Sequence, residues 1–421
     1  MTGKELQKKL GWEFPDIAKK YPEQLEEAGR FCEGYKEFLN EGKTERECVK
    51  KAVELLEAAG YRPLDKNASY TAGDKVYMVN RDKALIATTF GREPLEKGLR
   101  INGAHIDSPR LDLKPNPLYE KEGLAYFKTH YYGGIRKYQW GTVPLAMHGV
   151  VYLEDGSKVE ISLGEKEGDP VFCVTDLLPH LAGEQSGRKL SEGLKGEELN
   201  IVVGSLPYED QEDVKEAVKL KALALLNQYY GMTEKDFLRA EIEMVPAYKA
   251  VDVGLDRGMI GAYGQDDRVC AYTALEAEMD VKEPFYTTVT ILTDKEEIGS
   301  VGNTGLHSDY VLHYIETLAE MAGADVKEVL THSLCLSSDV NAAYDPTFAS
   351  VYESRNSSYA GKGCVLTKYT GARGKSGSND ASAETMARVI RIMDEAGVCW
   401  QAGELGAVDA GGGGTIAQFV A

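Results

Sequence analysis

The chain has 421 residues, more than one ordinary core accommodates, which predicts two domains. Its net charge of −19, from 67 acidic and 48 basic residues, argues against nucleic acid and anionic membranes as partners. The chain has no apolar run long enough to cross a bilayer, no N-terminal secretion signal and no Cys-x-x-Cys among its seven cysteines, so the sequence predicts a cytoplasmic protein with reduced thiols.

The N-terminal part predicts helices followed by a β-hairpin. Thr44 and Glu47 have the spacing of a capping box, and the helix that they begin is predicted to end at Gly60. Residues 76–79 and 84–88 predict two strands on either side of a polar turn. We expect these elements to serve packing.

A third strand, predicted over residues 99–109, carries the first candidate site residues. His105 and Asp107 are two positions apart and therefore share one face of the strand. An imidazole is a good zinc ligand, and a carboxylate on the same face can orient it. The alternative is a half-buried histidine beside an unrelated aspartate.

The composition changes after this strand, and tyrosine, glycine and charged residues become frequent. A hairpin is predicted over residues 150–161 and an amphipathic helix over residues 211–230. We interpret residues 110–248 as a mostly β domain inserted into a first domain. Residues 1–109 and 249–421 would then form the two parts of that first domain.

Two adjacent glutamates follow a predicted buried strand. Residues 286–293 are β-branched and aromatic, as is typical of a strand in a core. Glu296 and Glu297 come shortly after it, where ligands bind in open α/β sheets, and crowded acids repel one another unless a cation lies between them. One glutamate could bind metal while the other acts as a base. A solvated acidic turn is the alternative.

Two further acids occupy comparable positions. Asp339 ends a short strand predicted over residues 333–339, and Asp266 lies where a helix is predicted to begin. Asp266 could cap that helix, or its carboxylate could bridge two cations. Together with His105, these carboxylates form a ligand set that suits zinc, manganese or cobalt.

These motifs give the chain a resemblance, over nearly its whole length, to the aspartyl aminopeptidase and vacuolar aminopeptidase I family, metallopeptidase family eighteen. The glutamate-containing motif is the most specific of the five. The motifs are Ala104–Pro109 (AHIDSP), Gly264–Arg268 (GQDDR), Asp294–Ser300 (DKEEIGS), Ser338–Asp339 and Gly411–Thr415 (GGGGT).

The resemblance implies an α/β fold with a three-layer α/β/α zinc-peptidase catalytic domain and a mostly β inserted dimerisation domain. It implies two divalent metal ions, with zinc expected and manganese or cobalt as alternatives. His105 and Asp339 are expected on one ion, Glu297 on the other, and Asp266 between them.

The resemblance also implies a reaction and an assembly. The expected function is that of a metal-dependent aminopeptidase, which hydrolyses the N-terminal residue of peptides with a water activated by two metals. Glu296 is expected to be the general base and acid, and Asp107 to orient His105. The expected assembly is a homo-oligomer in which dimers build a dodecamer.

The sequence departs from the family pattern at its second metal site. The family has a second metal-binding histidine near its C-terminus, in a Met-His-Ser-type segment. This chain ends at Phe419-Val420-Ala421 without that segment. We therefore expect a truncated chain whose second site binds metal weakly. A non-catalytic scaffold that has lost a metal ligand is the alternative function.

A second departure concerns substrate choice. Members that prefer acidic N-terminal residues carry two histidines where this chain has Ala342 and Asp345. Lys368 does match a lysine that meets the acidic side chain of the substrate. We expect weak selectivity for acidic residues. His180 is a candidate for donation to the partner subunit's substrate pocket, and a structural role is its alternative.

Overall fold

The computed structural model describes residues 1–210, 212–371, 373–375 and 379–420. Its helices are α1 (Gly3–Leu10), α2 (Ile17–Lys20), α3 (Leu25–Glu41), α4 (Glu45–Ala58), α5 (Gly183–Ser186), α6 (Ala217–Tyr230), α7 (Gln265–Asp280), α8 (Tyr310–Ala322), α9 (Val326–His332) and α10 (Ala383–Glu395). Its strands are β1 (Arg62–Pro63), β2 (Lys75–Asn80), β3 (Ala84–Thr89), β4 (Arg100–His105), β5 (Arg110–Lys121), β6 (Leu124–Tyr132), β7 (Leu145–Tyr152), β8 (Lys158–Leu163), β9 (Cys173–Val174), β10 (Ile201–Gly204), β11 (Ala240–Pro246), β12 (Val251–Val253), β13 (Met259–Gly261), β14 (Thr288–Thr293), β15 (Leu334–Ser337), β16 (Cys364–Leu366) and β17 (Trp400–Ala402).

The first sheet has the strand order β1-β2-β3-β14-β4-β15 and lies between two layers of helices. Alternate residues of a strand face opposite sides, so neighbouring side chains enter different cores. Leu85 packs with α3, α4 and α7 on one side, whereas Ile86 packs with α8 and α9 on the other. This arrangement confirms the expected three-layer α/β/α architecture.

Strands β14, β4 and β15 run parallel and present their carboxyl ends at one edge of this sheet. Thr293, the last residue of β14, is in register with His105, the last residue of β4. Ser337, at the end of β15, is in register with Gly103 of β4. Residues that follow these three strands are therefore brought together, as expected for a ligand site in an open α/β sheet.

The second sheet is antiparallel throughout and has the strand order β8-β7-β11-β5-β6-β10-β9. One of its faces packs on α6, which supplies Val218, Ala222 and Leu226 to a core separate from those of the first sheet. All seven strands come from the segment 110–246, which supports the interpretation of residues 110–248 as an inserted, mostly β domain.

A group of buried charges joins the two sheets. Arg110 Nη1 lies 3.3 Å from Glu45 Oε2, and Arg110 Nε lies 3.2 Å from Glu243 Oε2. Lys83 Nζ lies 3.4 Å from the other oxygen of Glu45. The nearby guanidinium and ammonium outweigh the effect of burial, which raises the pKa of Glu45, and lower that pKa to about 2. Removing one partner would leave an uncompensated buried charge.

None of the helices in the described ranges combines the length and the apolar character that a membrane span requires.

Candidate metal centre

His105 is the last residue of β4, and Asp107 follows two positions later. The imidazole is buried, and its Nδ1 atom lies 3.0 Å from the backbone carbonyl oxygen of Asp107 and 3.4 Å from Oδ1 of its side chain. These contacts fix the ring and leave Nε2 directed at three carboxylates. Nε2 lies 3.2 Å from Asp266 Oδ1, 3.9 Å from Glu296 Oε2 and 3.9 Å from Asp339 Oδ1.

Asp266 and Asp267 lie at the start of α7, in residues whose backbone is not helical. Gly264 precedes the first turn of α7, and a kink at Asp266 and Asp267 separates that turn from the rest of the helix, so the alternative that Asp266 caps the helix stays open. The fully buried Arg268 anchors this end, since its Nε donates to the carbonyl of Ile106 over 3.2 Å. The start of α7 is thereby held against the end of β4.

Glu296 and Glu297 lie in a single 3₁₀ turn after β14. The N–H of Glu296 donates to Asp107 Oδ1 over 3.1 Å, and the N–H of Glu297 donates to Asp107 Oδ2 over 3.3 Å. Lys295, before the turn, and Gly299, after it, have φ values of 69° and 91°. Asp107 therefore orders the glutamate turn as well as the imidazole.

The side chains around His105 form two groups that could each hold a metal ion. The first group is His105, Asp267 and Asp339, and the second is His105, Asp266 and Glu297. Within each group the possible ligand atoms lie within 4.8 Å of one another. We use the term His105 centre for these residues together with two neighbours, namely His105, Asp107, Asp266, Asp267, Glu296, Glu297 and Asp339.

Burial and mutual repulsion oppose ionisation of the acids in the His105 centre. Burial, together with nearby acids, raises the pKa of Glu296 and that of Glu297 to about 7, although His105 opposes the rise. Burial raises the pKa of Asp267 to about 8. Burial also raises the pKa of Asp339. A bound cation would relieve all of these penalties.

Asp107 behaves differently from the other acids, although it is completely buried. Burial alone would raise its pKa, but the hydrogen bonds and charge of His105 outweigh this effect and lower the pKa. Burial would likewise lower the pKa of His105, and Asp107 and Asp266 raise it well above its usual value. A charged Asp107 is suited to orient an imidazole that binds a cation.

The two predicted substrate-binding residues are not part of the His105 centre. Lys368 follows β16 and donates to Asp380 Oδ1 over 2.7 Å and to the carbonyl of Ala381 over 3.0 Å. His180 lies on an exposed turn between β9 and α5. Their predicted roles stay predictions.

Asp267 is the residue of the centre that the sequence analysis did not single out. Neither of its carboxylate oxygens has a hydrogen bond of ordinary geometry among the residues that the structure describes, although the thiol of Cys270 is close enough to favour the charged carboxylate. A buried carboxylate without a partner is costly, and a cation ligand is one arrangement that offsets the cost. The doubled acid in the motif Gly264–Arg268 is the sequence signal for it, but only one of the two was selected.

Comparison with known proteins also indicates a zinc enzyme. The family model described as Aminopeptidase I zinc metalloprotease (M18) matches residues 38–421. The protein named Probable M18 family aminopeptidase 1 of Clostridium acetobutylicum is 49% identical over 418 residues, which are 97% of this chain and 90% of that protein. Its counterpart in Thermotoga maritima is 48% identical over 401 residues, which are 94% of this chain and 88% of that protein.

Solved structures of similar proteins have the same fold. The crystal structure of an M18 family aminopeptidase from Thermotoga maritima matches with a TM-score of 0.93 and 47% identity, over 97% of this chain and 90% of that one. The mApe1 dodecamer of S. cerevisiae matches with a TM-score of 0.70 over 89% of this chain and 85% of that one. Its identity is 21%, so this likeness concerns the fold alone.

Proposed function

Because the chain belongs to the M18 family of zinc aminopeptidases, we propose that it removes the N-terminal residue of peptides with two divalent cations held by the His105 centre. The observation that carries the proposal is the pair of ligand groups that meet at His105. An imidazole with several carboxylates is a donor set that zinc accepts, and manganese and cobalt accept it as well.

The residues present fit such cations. Asp267 has two buried oxygens without a hydrogen bond of ordinary geometry in the described part of the chain, and burial raises the pKa values of Glu296 and Glu297 to about 7. The charge of cations held by the neighbouring ligands would lower the pKa values of Glu296 and Glu297 and would stabilise the ionised Asp267. We assign His105 and Asp339 to one cation and Glu297 to the other, with Asp266 between them. When bound, the cations supply Lewis acidity that acidifies water and polarises the peptide carbonyl.

Glu296 is the proposed general base and acid. Its Oε2 atom lies 3.9 Å from His105 Nε2, its side chain is 20% exposed, and no other role in the groups is assigned to it. It would take a proton from the attacking water and return that proton to the leaving amine. Asp107 contacts both His105 and the N–H of Glu296, and would hold the metal ligand and the base in fixed positions relative to each other.

The acids of the centre also offer an explanation for cleavage at the N-terminus. The side chain of Asp266 is 54% exposed, so solvent reaches the His105 centre, whose acids outnumber the four that are assigned to cations or to the base. A free α-ammonium group would be attracted to this acidic surface, whereas an internal peptide bond brings no such charge. Cleavage would thereby be confined to the first residue of the peptide.

We propose that the inserted domain mediates dimerisation and that dimers build a dodecamer. The loop region between β9 and β10 exposes four large apolar side chains, and burying such side chains favours association. These are Leu177, Leu178, Leu181 and Leu190, each more than half exposed. The mApe1 relative is a dodecamer, and sedimentation of the purified chain tests whether this chain forms one.

The test of the proposed function is release of free amino acids from aminoacyl-nitroanilides, with and without a chelator. Activity that disappears with the chelator and returns with zinc supports the proposal. A chain that binds zinc and assembles but releases no amino acid would instead favour the alternative, a scaffold that has kept the fold without the reaction.

A further inference from the structure

Tyr132, the last residue of β6 in the second sheet, reaches the His105 centre. Its hydroxyl donates a hydrogen bond to Asp107 Oδ2 over 2.7 Å, and both side chains are buried. The same oxygen accepts a longer bond, 3.3 Å, from the N–H of Glu297. Tyr132 is therefore the closest donor to the residue that contacts both the imidazole and the glutamate turn.

The guanidinium of Arg110 holds the ring of Tyr132 in place. The two residues are paired in the register of β5 and β6, and the guanidinium lies 3.8 Å from the centre of the tyrosine ring. Arg110 is itself held by the buried Glu45 and Glu243. A cation over a desolvated ring is attractive, so the hydroxyl is presented by a rigid support.

The residue after Tyr132 also touches the centre. Gly133 has a φ of 72°, and a Cβ built there would come within 3.2 Å of Cβ and Oε2 of Glu297. A residue with a Cβ would be strained at this φ and would require Glu297 to shift by a few tenths of an ångström. The Tyr132–Gly133 corner thus contacts Asp107 through its side chain and Glu297 through its backbone.

We propose that Tyr132 is a positioning residue for the metal centre, which it supplies from the inserted domain. Its hydroxyl holds Asp107 in the orientation that aims His105 and orders the turn with Glu296 and Glu297, while Gly133 limits where Glu297 can lie. The inserted domain is then part of the catalytic apparatus in addition to any role in assembly. This inference rests on the proposed function, because it assumes that the His105 centre holds cations.

The test compares Tyr132→Phe with Tyr131→Phe, the neighbouring strand residue, whose ring is 39% exposed. Zinc affinity of the metal-free proteins is measured by calorimetry below the melting temperature of each variant, and kcat and KM are measured separately. Loss of an outer-shell partner typically weakens metal binding or activity about tenfold or more. We expect that loss for Tyr132→Phe, mainly in zinc affinity and kcat, with KM nearly unchanged, and wild-type values for Tyr131→Phe.

Zinc affinity and kcat of Tyr132→Phe within twofold of wild type would overturn the inference, as would an equal loss in Tyr131→Phe. If Tyr132→Phe does not fold, Gly133→Ala takes its place under the same criteria, because it disturbs the same corner at Glu297. The zinc measurement is independent of turnover. A wild-type chain that binds zinc and releases no amino acid would therefore defeat the proposed function and leave this comparison valid.

Discussion

Nε2 of His105 lies 3.2 Å from Oδ1 of the half-exposed Asp266, whereas the next residue, Asp267, is completely buried. Asp266 and Asp267 therefore both lie near the imidazole of His105 but differ in burial. The two oxygens of Asp267 also lack a hydrogen bond of ordinary geometry within the described ranges. Because of this difference in burial, replacing each aspartate by asparagine should change the free energy of unfolding differently, and the two variants form a matched pair.

In the presence of a chelator, Asp267→Asn should raise the free energy of unfolding by roughly 1–3 kcal/mol, because the change removes a buried carboxylate without partners. The sign follows from the pKa: it is about 8 in the folded protein and near 4 in the unfolded chain, so the group opposes folding at pH 7. Asp266→Asn should not stabilise the chain in this way, because the Asp266 carboxylate is half exposed and favours the charged form of the buried His105. Denaturant unfolding measures both, and a destabilised Asp267→Asn would contradict this account.

The two ligand groups share one imidazole, and this limits how tightly two ions can bind. Nε2 of His105 faces both groups and can serve only one cation, so the second ion would keep Asp266 and Glu297 as its ligands. Carboxylates alone are a weaker zinc site than carboxylates with an imidazole. Calorimetric titration of the metal-free chain should resolve one tight and one weak zinc ion, and two equally tight ions would show that another ligand takes part.

Glu296→Gln and Glu297→Gln should differ in what they disable. Loss of a general base typically lowers kcat by about 10²–10⁴-fold, so Glu296→Gln should bind zinc as wild type does and turn over far more slowly. Glu297→Gln should weaken the second zinc ion, because it removes a ligand. Zinc titration and nitroanilide hydrolysis are measured on both variants. Activity retained by Glu296→Gln would exclude its proposed role.

His148 should make stability depend on pH. Its Nδ1 lies 2.8 Å from Glu47 Oε1 and its Nε2 lies 3.2 Å from Glu165 Oε1, which also approaches Lys43, while Glu165 Oε2 pairs with Lys249. Burial lowers the pKa of His148, but both glutamates raise it above its usual value.

Because the pKa of His148 is higher in the folded chain, its stabilising contribution is fully present below about pH 6.5, the unfolded value, and is lost as pH rises through the folded value. The difference in unfolding free energy between wild type and His148→Gln should therefore shrink as pH increases above about 6.5. Denaturant unfolding at several pH values measures it. A difference that is constant between pH 6 and 9 would show that the ion pairs do not contribute.

Lys368 should have only a modest effect on substrate choice. It is an exposed cation already paired with Asp380, and exposed pairs are worth about 1 kcal/mol or less, which is roughly fivefold in kcat/KM. Lys368→Ala should lower kcat/KM for an Asp-nitroanilide by no more than about this factor and leave a Leu-nitroanilide unaffected. Lys375→Ala, which removes the other lysine paired with Asp380, is the control. A strong wild-type preference for Asp would contradict the expectation.

Features encoded in short sequence stretches were predicted well. The Thr44–Glu47 capping box and the first hairpin are confirmed, because caps and turns depend on neighbouring residues. The pair Asn379-Asp380 also predicts a helix cap from sequence, and this prediction is wrong, because the side chain of Ser382 accepts the N–H of Thr385 and caps α10. The predicted helix over residues 211–230 begins at Ala217 in the structure, and residue 211 lies outside the described residues.

Contacts between residues that are far apart in the sequence could not be predicted from local patterns. The contact of Tyr132 with Asp107 spans 25 residues and depends on the register between β5 and β6, which includes an irregularity between Leu113 and Leu118. No local pattern specifies that register. Asp267 was missed for a related reason, since its burial follows from how α7 packs against β4.

The polypeptide leaves the first sheet at His105, the last residue of β4, and enters the second sheet five residues later, at Arg110. The junction between the two sheets therefore lies beside the proposed metal centre, and Arg110, Tyr132 and Asp107 connect the two. A compound that bound between the two sheets and displaced Tyr132 from Asp107 would therefore inhibit hydrolysis without competing with the peptide.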